Sequence, residues 1–258
     1  MDMTKSKPVP GRTKKTLRFC LQGLHHLLWP AVCANCHETI GETDNTLCSG
    51  CWAELLSCAG ADYCHRCGRD AARYAIVNDA CPACQGSQMH FDAIARGGVY
   101  AKSLRKMILS FKNGRTELDS MLCFLADAAL KGSGFCEDID VFVPVPLHWT
   151  RRLARGYNQS LLLAKKLRNK NTPIITDLVR IRHTMPQTAA ASPAARAANV
   201  AGAFAVRPDH RFAGRNICLV DDIKTTGATL NECAKVLKHA GAAKIFALVL
   251  AVAGQGID

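Results

Sequence analysis

The chain has 258 residues, 48% of them hydrophobic, which excludes a disordered polyelectrolyte and suits one α/β domain with a small module beside it. Lys and Arg number 33 against 21 Asp and Glu, a net charge of +12. That balance suits a polyanionic partner, a nucleic acid or a phosphorylated metabolite, without choosing between them.

Residues 1–28 read as a basic, weakly ordered lead-in, with a short amphipathic helix over Leu17–Leu28. Its cations (Lys5, Lys7, Arg12, Lys14, Lys15, Arg18) are not followed by an apolar stretch with a small-residue cleavage site, so a cytoplasmic protein is expected. Residues 29–92 lack long apolar runs and hold four Cys-x-x-Cys pairs: Cys33/Cys36, Cys48/Cys51, Cys64/Cys67 and Cys81/Cys84. Each such turn presents two thiolates from one side, and two turns complete a tetrahedral zinc site. Two structural sites are expected. The sequential assignment is Cys33, Cys36, Cys48 and Cys51 in one, and Cys64, Cys67, Cys81 and Cys84 in the other; crossed or nested pairings remain open. Disulfides are disfavoured without a secretion signal, and a redox dithiol would normally occur once. Structural zinc contributes on the order of 10–16 kcal/mol per site in small peptides, which offsets the chain entropy of a segment so poor in core. His37 and His65 lie beside the pairs as alternative ligands, but four cysteines already fill each site.

From residue 93 to 258 the pattern is α/β. Strands are expected over Asp92–Tyr100, Asp140–Val143 (stopped by Pro144 and Pro146), Asn216–Val220 and Lys244–Ala253. The apolar run within the last, Ile245 to Ala253, is too short to cross a bilayer. Helices are expected over Ser103–Phe111, Glu117–Leu130 ending near Gly132, Asn158–Leu167, and Ala228–Ala240 closed by Gly241. Thr184–Gly202, rich in Ala, Pro and Arg, reads as a mobile loop and a candidate lid with Arg196 as its cation. Strand–helix–strand order over short connections gives a parallel sheet with helices on both faces.

The sharpest motif is Ile217-Cys218-Leu219-Val220-Asp221-Asp222-Ile223-Lys224-Thr225-Thr226-Gly227-Ala228-Thr229. An apolar strand ends in two acids, then a Thr/Gly turn opens a helix. Free backbone N–H groups at such a helix start bind anions, and ligands of open α/β sheets sit at the carboxyl ends of strands. Thr225, Thr226 and Thr229 add hydroxyls, and Gly227 lets the backbone approach closely. Acids beside a phosphate site would repel it but suit the two hydroxyls of a ribose. The motif therefore reads as a cradle for a 5-phosphoribosyl group: Asp221 and Asp222 for the sugar, residues Lys224 to Thr229 for the phosphate. Lys224 either faces solvent or adds a cation near the phosphate. Between Arg151 and Lys170 there are seven basic residues and no acid. Arg151, Arg152 and Arg155 are assigned to a diphosphate, for which guanidinium groups are suited. Lys112 is a further candidate ligand.

The thirteen-residue motif resembles the PRPP signature of type I phosphoribosyltransferases, departing at Cys218 and Lys224. The segments Val143-Pro144-Val145-Pro146-Leu147, Arg151-Arg152-Leu153 and Arg155-Gly156-Tyr157-Asn158-Gln159 are similar to the core of ComF/GntX-family proteins, as are Phe111-Lys112, Arg180, Thr184, Gln187, Arg196, Asn199 and Phe204. The likeness covers roughly residues 29 to 255 and includes the double Cys module. It implies a double zinc ribbon, a type I phosphoribosyltransferase-like domain, PRPP bound with Mg²⁺, Asp221 and Asp222 as catalytic residues, and a link to DNA uptake in natural transformation. Two further functions stay open: a PRPP- or nucleotide-binding adaptor without transfer activity, and a single-stranded-DNA-binding protein.

Overall fold

The computed structural model describes residues 31–41, 46–60, 62–78, 80–167, 172–185 and 192–254. The expected lead-in and its Leu17–Leu28 helix lie outside them. The chain divides into two compact units, Met1–Trp52 and Ala53–Asp258.

Each unit holds one cysteine cluster, and both clusters start from the same turn. In the first, Cys33 N–H donates to the Glu38 carbonyl and His37 N–H to the Cys33 carbonyl, with Val32 bridged to Thr39. In the second, Cys64 N–H donates to Arg69 and Gly68 N–H to Cys64, with Tyr63 bridged to Asp70. The fifth residue of each turn is left-handed, His37 at φ 65° and Gly68 at φ 78°. Glycine has a second reason in the later turn: a Cβ at Gly68 would lie 3.0 Å from Val252 Cγ2 and 3.3 Å from Ile94 Cγ2.

The element order is α1 (Ser49–Ala59), β1 (Ala93–Val99), α2 (Lys102–Lys112), α3 (Asp119–Lys131), β2 (Val141–Pro144), α4 (Trp149–Arg155), α5 (Gln159–Lys166), β3 (Leu178–Arg180), α6 (Pro193–Val200), β4 (Phe204–Val206), β5 (Asn216–Lys224), α7 (Ala228–His239) and β6 (Lys244–Val252). Strands β1, β6, β5 and β2 form one sheet in that order, every pair parallel. The strands are apolar runs because both faces are covered: β2 is buried throughout, and β6 is buried at every position but Lys244. Ile245, Ala247 and Val249 share a core with Leu230, Cys233, Ala234 and Leu237 of α7. On the opposite face Phe246 stacks on Phe135, with ring centroids 4.4 Å apart. Helix α2 buries Leu104, Met107, Ile108 and Phe111, the three-and-four spacing of an amphipathic helix. Two glycines in β1 permit close approach: a Cβ at Gly97 would lie 2.9 Å from Leu125 Cγ, and one at Gly98 would lie 2.7 Å from the Cys58 carbonyl oxygen.

The segment expected as a loop over Thr184–Gly202 contains helix α6. Ser192 caps it by accepting from Ala195 N–H, and Pro193 follows at the first turn. The Ala and Pro content that suggested a loop is a capped helix start followed by good helix formers. The β3–β4 antiparallel pair flanks this segment, with Val179 opposite Ala205. These strands of three residues each are too short to show a period in sequence. Strand β5 runs four residues beyond its expected end, through Asp221 and Asp222 to Lys224, because β6 pairs with it to Val252.

Candidate phosphate-loop site and cysteine clusters

The acids of the motif sit at the carboxyl end of the central strand β5, and the turn Thr225–Gly227 leads into α7. Gly227 occupies the N-cap at φ 87°, with no side-chain cap. Only glycine adopts that conformation cheaply, and the first N–H groups of α7 face an uncapped start. Ala228 N–H reaches Thr226 Oγ1 at 3.4 Å. Residues Thr225 to Leu230, with Asp221, Ile223 and Lys224, wrap a small hollow of about 20 Å³.

Asp221 and Asp222 are held differently. Asp222 pairs with Lys112 Nζ at 3.0 Å, both side chains being largely buried. Asp221 Oδ1 accepts from Ser160 Oγ at 3.1 Å and from Asp222 N–H at 2.9 Å. Burial, and secondarily the charge of Asp222, push Asp221 up to about 7, while Lys112 and Ser160 pull the other way. Ser160 reaches this position because Asn158 caps α5 and donates to the Val145 carbonyl just past β2. The position of Lys112 is fixed at the end of α2, whose Phe111 carbonyl accepts from Tyr157 Oη. The segment Gly156 to Ser160 thus joins α2, β2 and β5 at one edge of the sheet.

The arginines are spread more widely. Arg151, Arg152 and Arg155 lie on α4. Arg151 donates to the Thr184 carbonyl at 2.8 Å, Arg155 to Gln159 Oε1 at 3.2 Å, and Arg152 is exposed. Arg180, at the end of β3, bonds Thr184 Oγ1 and lies over the Phe204 ring. Its Nε is buried and makes no hydrogen bond among the described residues. Burial, then Arg151, lowers its pKa. Ser160 and Arg180 were not picked out as site residues in the sequence. Arg180 stood within a family-like segment, and nothing local to Ser160 signals its bond to Asp221.

Lys224 does not face solvent. It is 4% exposed, and its stem lies beneath Gly227, where a Cβ would meet Lys224 Cε at 2.9 Å. Strand alternation turns it away from Asp221 and toward Cys67 and Cys84, with which it lines a cavity of about 210 Å³.

The cysteines group as Cys33, Cys36, Cys48, Cys51 and as Cys64, Cys67, Cys81, Cys84, the sulfurs of each group lying within 4.8 Å of one another. The sequential pairing is therefore the one adopted. Neighbouring sulfurs stand at 3.7 Å (Cys36–Cys48), 3.8 Å (Cys64–Cys84), 3.6 Å (Cys67–Cys81) and 3.7 Å (Cys81–Cys84). A regular tetrahedron with Zn–S near 2.3 Å has edges of about 3.8 Å. These cysteines form no disulfides, their sulfurs being too distant for an S–S bond, and they are spaced for one tetrahedral ion per cluster. Neither His37 nor His65 joins a cluster. No described helix is long and apolar enough to cross a membrane.

A parallel α/β sheet with flanking helices, preceded by a cysteine-rich zinc-ribbon module, defines the class. Residues 24–86 match the double zinc ribbon domain. Competence protein F of Haemophilus influenzae is 32% identical over 220 residues, covering 83% of this chain and 93% of that protein. The chain belongs to the ComF family. Competence protein ComFC of Bacillus subtilis is 28% identical, over 78% of this chain and 81% of its own. DNA utilization protein YhgH of Salmonella typhimurium is 27% identical, over 84% and 94%. Among solved structures, a purine phosphoribosyltransferase from Pyrococcus horikoshii aligns with a TM-score of 0.33 and 13% identity, over 54% of this chain and 91% of that one.

Proposed function

We propose that the carboxyl end of β5 binds PRPP, and that the chain is a phosphoribosyltransferase-type protein serving DNA uptake or utilisation. The observation that carries this reading is the division of labour at one strand end. Two acids with unlike partners, Lys112 and Ser160, are followed directly by an uncapped helix start laid over a glycine. The turn suits the 5-phosphate; Asp221 and Asp222 suit the two ribose hydroxyls; Arg151, Arg155 and Arg180 supply cations for the pyrophosphate end, with exposed Arg152 at its margin. Mg²⁺, held mainly by ligand oxygens and water, would neutralise the pyrophosphate. In a transfer reaction pyrophosphate leaves the anomeric carbon as an acceptor attacks, and the protein contributes positioning and electrostatics.

Thermal unfolding with Mg²⁺–PRPP, Mg²⁺–pyrophosphate and ribose 5-phosphate tests the reading. Ligand at a hundred times its Kd stabilises by about 2.7 kcal/mol, so PRPP should raise Tm by several degrees and each half-ligand by less. No PRPP shift at millimolar ligand would contradict it. Binding with no pyrophosphate release for any acceptor would make the chain an adaptor instead of a transferase.

Single-stranded DNA is the second reading. It rests on the names of the relatives, on the net charge of +12, and on exposed Trp149 and Leu153 beside the arginines of α4. It predicts affinity that falls steeply with salt.

A further inference from the structure

We propose that Lys224 is the countercation of the second cysteine cluster, and that through it the metal held by Cys64, Cys67, Cys81 and Cys84 fixes the shape of the Thr225–Gly227 turn. The inference concerns the cluster and the turn alone and holds whatever the turn binds.

Lys224 is a charged side chain buried to 4% exposure, and among the described residues its ammonium makes no hydrogen bond or ion pair with a carboxylate. Burying an isolated ammonium costs several kcal/mol unless an opposite charge compensates. The larger cavity it lines contains no Asp or Glu, and its anionic groups are the sulfurs of Cys67 and Cys84; Asp221 lines the smaller hollow with Lys224, but no ion pair joins the two among the described residues. Four thiolates around one Zn²⁺ leave a net charge of about −2, and in a low-dielectric setting such a charge acts over several ångströms. The two cationic neighbours are less free. Arg96 is committed to the Asp70 carboxylate and the Gly68 carbonyl, and Arg69 reaches the Ala83 carbonyl at 3.4 Å. Lys224 is thus the uncommitted cation facing the cluster.

The other end of the link is the turn. A Cβ on Gly227 would lie 2.9 Å from Lys224 Cε and 3.6 Å from Nζ. The left-handed turn is laid directly on the lysine head, so a change in where that head rests reaches the start of α7 with no intervening side chain. The cluster's own position is set by the sheet, since Ile94 N–H donates to the His65 carbonyl and Gly68 packs on Val252, the strand partner of Lys224. Cluster and lysine line one cavity, and the turn lies on the lysine. A free anion in the same cavity is the rival occupant, but it would meet the thiolates' negative charge.

The test uses the full zinc-loaded chain. Zinc release to a chromogenic chelator is followed for wild type, Lys224→Met, Lys224→Arg and a control, Lys244→Met, at an exposed position. Hydrogen exchange of residues 225–230 is followed in parallel. Met keeps the stem and removes the charge; Arg keeps the charge. The expected result is two zinc ions per chain. One of them should leave at least about tenfold faster in Lys224→Met and near the wild-type rate in Lys224→Arg and Lys244→Met. Exchange at 225–230 should rise in Lys224→Met, and in wild type once that ion is gone. Equal release from all four proteins would overturn the proposal, as would acceleration in Lys224→Arg equal to that in Lys224→Met. Inorganic phosphate binding that depends on Lys224, with zinc release unchanged, would assign the lysine to a free anion and overturn it too. If Lys224→Met does not fold, as read by far-UV circular dichroism, Lys224→Gln takes its place and the same outcomes decide.

Discussion

Asp221 governs how the site responds to pH. Its folded-state pKa of about 7 lies above the ordinary 3.8, so the folded chain keeps a proton that the unfolded chain gives up across that window. Stability from this group is full below about pH 3.8 and declines as pH rises toward 7. Asp221→Asn removes the decline. Urea unfolding should show the variant gaining on the order of 1–3 kcal/mol over wild type near pH 8, and little near pH 4; equal differences at both would contradict the assignment. Lys112→Met acts in the opposite sense. It leaves the largely buried Asp222 without its lysine partner beside Asp221, and should cost about 1–3 kcal/mol at neutral pH. At this scale the sequence was legible where chemistry is local. The acids, the threonines, Gly227 and the eight cysteines could be read directly, because each motif is contiguous or repeated at fixed spacing. Ser160 reaches Asp221 only through the fold. The burial of Lys224 follows from which face of β5 the second cysteine cluster covers.

Among the elements, the parallel sheet was readable because its strands are continuous apolar runs, and α2 and α7 because their buried residues keep helical spacing. Helix α6 is hard to read because its eight residues, Pro193 followed by Ala, Arg, Asn and Val, carry little periodicity, and the signal for it lies in the Ser192–Pro193 start. Ser192→Ala should cost about 1 kcal/mol, visible as faster hydrogen exchange over residues 194–198 with the sheet unaffected. Exchange spreading into β5 would show that α6 is less separable than its cap implies. Helix α4 places its arginines along one turn and a half, so Arg151 and Arg152 point different ways, although adjacency in sequence had grouped them. In β1, Gly97→Val would drive side-chain atoms into Leu125 and the Leu250 carbonyl, and should destabilise by about 1–3 kcal/mol in denaturant unfolding.

The molecule as a whole carries two four-cysteine clusters and a sheet that presents one acidic strand end among cations. The later turn is built into the larger unit. Gly68→Ala meets Val252 at 3.0 Å in a left-handed conformation, and should cost about 1–3 kcal/mol. Its signature should be faster release of one zinc ion and a lowered Tm together; a lowered Tm with both ions held normally would place its role in packing alone. The net charge of +12 suits a nucleic-acid partner as well as a phosphorylated metabolite. The central claim is that the end of β5 holds PRPP, and isothermal titration of Mg²⁺–PRPP into the zinc-loaded chain, beside an Asp221→Asn/Asp222→Asn double variant, tests it most directly. Saturable binding in the micromolar range that the folded double variant loses is the expected result. No heat from a folded, zinc-replete wild type, or equal binding by both proteins, would contradict the account.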